Sequence, residues 1–251
     1  MLNLFAQKSW SFCICLLAVL TIFLNACSRT PLEEQFVSAK GDLMLSMTDG
    51  TCSAGAFDFV SDPGTGGLNP QSIGIFDWNT YKGQMRGWQD DLLSLSDQSD
   101  LIVLQEASRN EQMEEFLSLR RLYWSYNSAF KYKGVETGVL TASKQKPLFS
   151  CGLRQDEPVI GFPKTAIVSL YGIEGVSEKL LVANVHAINI TLGTDAYKKQ
   201  FSALGQILQE HSGPMLVVGD FNNWNEKRKA IVTLLVDKLG LILLPFEREN
   251  R

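Results

Sequence analysis

Met215-Leu216-Val217-Val218-Gly219-Asp220-Phe221-Asn222 is the stretch from which the rest of the chain can be read. Four apolar residues make a run of strand length, and the run ends by delivering a carboxylate and an amide two positions apart. Side chains alternate between the faces of a strand, so Asp220 and Asn222 share one. The pattern recurs upstream. Ile73-Gly74-Ile75-Phe76 leads to Asp77-Trp78-Asn79, Leu101-Ile102-Val103-Leu104 to Gln105-Glu106, and Leu181-Val182-Ala183 to Asn184-Val185-His186. Strands that are apolar on both faces belong in the middle of a sheet. Polar groups converging at the ends of such strands build a site.

Working outward, strands are expected over 72–76, 101–104, 135–141, 165–171, 180–185, 215–218 and 241–244. Helices are expected over 84–95, 111–121, 194–210 and 226–239. In 194–210 the residues Tyr197, Phe201, Leu204, Ile207 and Leu208 recur at helical spacing and are read as core. The alternation of strands with amphipathic helices marks an α/β domain over 71–251. Residues 27–70 carry Asp49-Gly50, Asp62-Pro63-Gly64 and Gly66-Gly67, and are read as a tether and a loosely packed, turn-rich lead-in.

Residues 1–26 hold one charged side chain, Lys8, and the apolar run from Phe12 to Leu24, which is a secretory signal pattern. Its end, Leu24-Asn25-Ala26-Cys27, resembles the lipobox of bacterial lipoproteins. That resemblance implies cleavage before Cys27 and a diacylglyceryl group on its sulfur. With Ser28 rather than an aspartate next, it implies an outer-membrane anchor facing the periplasm. An uncleaved signal anchor or an ordinary cleaved signal are the alternatives. Cys13 and Cys15 would leave with the leader, which strands Cys52 and Cys151 in an oxidising compartment. They are read either as a disulfide or as two buried thiols.

Composition sets the outer bounds. A chain of 251 residues with 45% hydrophobic and 20% charged residues is neither disordered nor a multi-pass membrane protein. A net charge of −4 lacks the field of a protein that wraps nucleic acid through its phosphates, so no strong nucleic-acid patch is expected. The basic run Lys227-Arg228-Lys229 is read as a wet helical face, and His211 as a helix-terminus residue. Lys164 is read as a solvated lysine at a strand entrance, with reach to a substrate phosphate as the alternative.

Carboxylates, amides and one imidazole, with no nucleophilic Ser or Cys beside them, suit a hard divalent cation and a phosphate better than acyl transfer. One histidine and no cysteine cannot complete the usual zinc shell. In chain order, Asp77-Trp78-Asn79, Leu104-Gln105-Glu106, Thr137-Gly138-Val139, Asn184-Val185-His186 and Gly219-Asp220-Phe221-Asn222 resemble the motifs of the endonuclease/exonuclease/phosphatase superfamily. The resemblance runs from about Gln71 to the C-terminus. It implies a four-layer α/β sandwich of two packed mixed β-sheets flanked by helices. It also implies a phosphoester hydrolase using Mg²⁺, or Mn²⁺ in its place, and acting as a monomer. Glu106 would be the direct metal ligand, with Asn79 in the same metal site. His186 would contact the scissile phosphate, Asp220 would orient or deprotonate the attacking water, and Asn222 would hold a phosphate oxygen. Nucleic acid, phospholipid and sugar phosphate all remain open as substrates.

One departure stands out. The family pattern closes with an Asp-His pair, but this chain has 2 His, His186 and His211, and neither occupies that place. A domain incomplete at its C-terminal end is therefore expected, with impaired turnover. The alternative is a lipoprotein that keeps the fold as a non-catalytic binding or structural module.

Overall fold

The computed structural model describes residues 27–244 apart from 49, 54, 58, 59 and 61–65. The leader, with all of the lipobox before Cys27, lies outside the described residues. The first sheet contains β1 (Cys27–Ser28), β2 (Phe36–Lys40), β3 (Leu43–Thr48), β4 (Ile75–Asn79), β5 (Leu101–Ser108), β6 (Tyr123–Tyr132) and β7 (Val135–Ser143). Its order is β3-β2-β6-β7-β5-β4, with β1 also on β6. The second sheet contains β8 (Phe149–Asp156), β9 (Pro163–Gly172), β10 (Lys179–His186) and β11 (Met215–Asp220), in the order β11-β10-β9-β8. Both sheets are mixed, because β4 runs parallel to β5 and β11 parallel to β10 while the other pairs are antiparallel.

Helices α1 (Trp88–Leu95) and α2 (Glu111–Leu119) cover the first sheet, where Leu92, Met113, Phe116 and Leu117 pack against Ile102, Leu104 and Leu140. Helices α3 (Asp195–Leu208) and α4 (Glu226–Leu239) cover the second, through Phe201, Leu204, Val232 and Leu235 against Leu181, Ala183 and Val185. The helical spacing of Tyr197, Phe201, Leu204 and Leu208 does turn them into the core. Between the sheets lie Leu68, Leu101, Tyr171, Leu180 and Val182. This is the α/β sandwich of two mixed sheets flanked by helices. Among the described residues no helix is long and apolar enough to cross a membrane.

The structure corrects several expectations. The strand expected at 72–76 sits three residues later, at Ile75–Asn79, because Asp77 and Asn79 themselves pair with Val103 and Gln105. No strand forms over 241–244. Gly240 ends α4 in the left-handed region (φ 65°), and Ile242 and Leu244 are then 85% and 78% exposed. Strands β2, β3, β6 and β8 were not anticipated. In β6, Ser125, Asn127 and Ser128 interrupt the apolar signal, yet they are buried and bonded: Asn127 Nδ2 to the Ala166 carbonyl of the second sheet (2.8 Å), Ser125 to Ser38 (3.1 Å) and Ser128 to Thr30 (2.7 Å).

The lead-in is only partly a tether. Phe36, Val37 and Ala39 are buried in β2, and Leu68 bonds β9 through Gly172 and the following Glu174. Of the two readings left open for Cys52 and Cys151, the structure has the disulfide, with Cα atoms 5.0 Å apart across a sequence separation of 99.

Candidate functional site

The site is built at the ends of four strands. In β5 the pairing with β7 shifts register between Leu104 and Ala107, and this bulge contains Gln105 and Glu106. Glu106 sits there at φ 46°, a left-handed conformation uncommon for a side-chain-bearing residue. Of the six positive-φ residues other than glycine among the described residues, Tyr81, Lys82, Glu106 and Asn222 all lie at or beside this site. Backbone strain gathers where function is held. On the second sheet Gly219 has φ 130°, and a Cβ there would strike the Val185 carbonyl. Glycine thus lets β11 lie close against β10 just before Asp220.

The strand ends bring Glu106, His186 and Asp220 together. His186 Nε2 lies 3.8 Å from Glu106 Oε1 and 3.8 Å from Asp220 Oδ2. Asn79 Nδ2 donates to Asp220 Oδ2 (2.9 Å), while its Oδ1 accepts the Tyr81 N–H (3.0 Å). Asp220 Oδ1 accepts the Asn222 N–H (3.1 Å). Two residues bring positive charge. Lys82 Nζ donates to Glu106 Oε2, and Lys164 Nζ lies 3.0 Å from His186 Nε2. Burial, then the charges of Lys164 and Lys82, hold the His186 pKa well below the usual histidine value, so its imidazole is neutral at pH 7. Burial likewise lowers Lys164.

One step behind this cluster the polar groups are structural. Asn184 is fully buried and donates to the Leu140 carbonyl (2.9 Å) and to Thr141 Oγ1 (3.2 Å), while its Oδ1 accepts from Gln105 Nε2 (3.0 Å). Gln105 Nε2 also donates to Asp77 Oδ1 (2.8 Å). Asp77 is raised by burial first and by nearby Asp220 as well.

The segment after His186 is tied at almost every peptide. Ala187 N–H donates to the Asp220 carbonyl (2.8 Å), Ile188 N–H to Gln200 Oε1 (2.8 Å), and Asn189 and Ile190 N–H to Glu157 Oε1 (2.6 and 2.7 Å). In return Gln200 Nε2 donates to the His186 carbonyl (3.0 Å) and Asn222 Nδ2 to the Ala187 carbonyl (3.0 Å). Arg228 donates to the carbonyls of Ile188 (2.7 Å), Asn189 (2.8 Å) and Asn222 (2.9 Å), and lies between the rings of Tyr197 and Trp224.

Two expectations therefore fail. Arg228 is 1% exposed, so the basic run is not a wet face throughout; only Lys227 and Lys229 are exposed. Lys164 is not a solvated lysine but faces His186. His211 does follow the end of α3, with Nε2 within 2.9 Å of the Lys179 carbonyl. Sequence reading missed Lys82, Glu157 and Gln200. Only Gly83, which permits a sharp turn after Asn79, hinted at the first.

Among the described residues no three His, Cys, Asp or Glu side chains gather as a metal cage. What is present is one carboxylate, Glu106, 17% exposed and already facing a cation, with Asp220 across from it. Such a sparse oxygen set suits Mg²⁺, which keeps several waters and leans on substrate oxygens. The residues fit that ion.

Comparison with known proteins bears on the fold and the family. The chain is 36% identical over 179 residues to a UPF0294 protein of Vibrio campbellii, covering 71% of this chain and 63% of that one. It is 32% identical over 200 residues to a UPF0294 protein of Klebsiella pneumoniae, covering 78% and 75%. The match thus spans less than two thirds of the Vibrio relative. Among solved structures, an endonuclease/exonuclease/phosphatase family protein from Leptotrichia buccalis superposes with a TM-score of 0.51 at 14% identity, covering 65% of this chain and 73% of that one. The human Nocturnin catalytic domain with bound sulfate anion gives 0.51 at 17% identity, covering 68% and 73%. Residues 78–231, from Trp78 through the start of α4, match the endonuclease/exonuclease/phosphatase family, and the chain belongs to that family.

Proposed function

We propose that the chain is a divalent-metal-dependent phosphoester hydrolase, with Glu106, Asn79, His186, Asp220 and Asn222 as its working residues. Members of this family are generally metal-dependent phosphoester hydrolases. The observation that carries the proposal is that Glu106 and Asp220, from strands of two different sheets, each stand 3.8 Å from His186 Nε2. Glu106 would hold Mg²⁺ or Mn²⁺, which when bound supplies charge neutralisation for a phosphoryl group.

The other residues divide the remaining work. Neutral His186 meets phosphate as a hydrogen-bonding group rather than a fixed cation, with Lys164 beside it as a positive charge for the developing oxyanion. Asp220, oriented by Asn79 and by the Asn222 N–H, is placed to position and deprotonate an attacking water. Asn222 fastens the His186 segment through Ala187, and phosphate contact is its second role. Support for the remaining parts of the reading is independent. The sequence Leu24-Asn25-Ala26-Cys27 supports an acylated Cys27 and a periplasm-facing outer-membrane address, and the disulfide suits an oxidising compartment.

Turnover of a chromogenic phosphodiester with Mg²⁺ or Mn²⁺ tests the function. Glu106→Gln should lose metal affinity together with rate. Asp220→Asn should keep metal affinity and lose about 100-fold or more in rate. A wild-type protein that turns over neither phosphodiesters nor phosphomonoesters would favour the non-catalytic module instead.

A further inference from the structure

Lys82 belongs to none of the motifs that mark the site, yet the fold delivers it there with care. The turn that carries it, Tyr81–Gly83, places both Tyr81 (φ 48°) and Lys82 (φ 59°) in the left-handed region. Those conformations persist only where the surroundings impose them. Thr80 Oγ1 donates to the carbonyls of Gln105 (3.2 Å) and Glu106 (3.1 Å), Gly83 N–H to the Thr80 carbonyl (2.9 Å), and Ser108 Oγ to the Lys82 carbonyl (3.1 Å). The turn is thus nailed to the same bulge that aims Glu106. Its product is one ammonium group, 20% exposed, bonded to Glu106 Oε2.

A divalent cation on Glu106 and the Lys82 ammonium compete for that carboxylate, since both are positive and repel each other at such short range. We propose that Lys82 is a phosphate-binding residue that Glu106 holds in reserve, so that cation binding releases the ammonium to the substrate phosphate. Lysine suits this transfer: a compact charge on a flexible four-carbon stem, able to exchange one anion for another without backbone movement. The Lys82 ammonium thus neutralises the Glu106 carboxylate that would hold the cation. Cation and phosphate favour each other's binding, and by linkage the coupling is equal in both directions. This inference rests on the hydrolase reading and adds to it a residue and an order of events.

The test uses the full chain, Mn²⁺ and inorganic phosphate, with free Mn²⁺ measured by its paramagnetic resonance signal. Lys82→Met should bind Mn²⁺ about tenfold more tightly than wild type in the absence of phosphate, because the competitor is gone. It should also lose most of the tightening that phosphate gives to wild-type Mn²⁺ binding. Lys82→Arg should keep both wild-type behaviours and show that the charge rather than the side-chain volume matters. If wild type binds Mn²⁺ and Lys82→Met binds it equally or more weakly, the proposal fails while the hydrolase reading stands. If wild type binds no Mn²⁺ at all, the metal-dependent reading fails and the coupling falls with it.

Discussion

Asn184 and His186 stand two residues apart on β10 and face the same side, yet the molecule treats them in opposite ways. Asn184 has every hydrogen-bonding group engaged, reaching the first sheet at Leu140, Thr141 and Gln105. His186 is nearly as buried, at 6% exposure, but stands 3.8 Å from two carboxylates, beyond hydrogen-bonding distance of either. The first arrangement is complete and stitches the sheets together. The second is crowded with charge, with Lys164 Nζ 3.0 Å from the same Nε2 that faces both carboxylates. Burial with full satisfaction marks architecture, whereas burial with a perturbed titratable group marks chemistry.

The largest expected effect sharpens that contrast. His186→Gln should lower phosphoester turnover by about 10³-fold while leaving stability at pH 7 nearly unchanged. It should also remove a pH dependence. His186 has its folded pKa depressed, so below about pH 6.5 the unfolded chain takes up a proton that the folded chain refuses. Wild-type stability is thus lost as pH falls through that range, and the variant's urea midpoint should fall less. An unchanged slope would mean that His186 is freely protonated.

Arg228→Ala comes next, at about 3 kcal/mol or more in urea unfolding, because the carbonyls of Ile188, Asn189 and Asn222 lose their donor inside the protein. Asn184→Leu should cost about 2 kcal/mol, since the Leu140 carbonyl and Thr141 Oγ1 lose the Asn184 amide and Gln105 Nε2 loses one of its two acceptors. If Asn184→Leu cost activity far beyond its stability loss, the line drawn between the two residues would be broken. The smallest effect belongs to Asp77→Asn. Asp77 is raised by burial and by Asp220, so ionising it at neutral pH opposes folding. Its outer side remains open to water, so the gain should be a few tenths of a kcal/mol at most.

Glu106, His186 and Asp220 were legible in the sequence because each ends a run apolar on both faces, and a central strand has few other ways to finish. Arg228 was not. A run of three basic residues reads as one wet surface, but a helix turns about 100° per residue, so only one of the three can face inward. Lys82 was hidden differently, since it reaches Glu106 through two left-handed residues that no periodicity announces. Strand β6 escaped because its polar residues are buried through bonds to other segments, Asn127 to the second sheet, Ser125 to Ser38 and Ser128 to Thr30, a property of the partners rather than of the strand. The run at 241–244 misled for the converse reason, since apolar residues make a strand only where an edge receives them.

The Cys52–Cys151 bridge has a consequence for the chain as a polymer. Strands β1 to β7 all precede residue 144 and β8 to β11 all follow residue 148, so the two sheets are consecutive in sequence and joined by one exposed crossing at Lys144. Asn79 and Glu106 come from one half, His186 and Asp220 from the other. The bridge links the halves a second time. A chain nicked at Lys144 should therefore stay one molecule on a gel until reductant is added, its halves leashed at an effective concentration of about a millimolar, and keep its cleft assembled. Reduction should then leave the halves held only by the core and hydrogen bonds between the sheets, so that nicked, reduced protein loses its site at lower urea than nicked, oxidised protein.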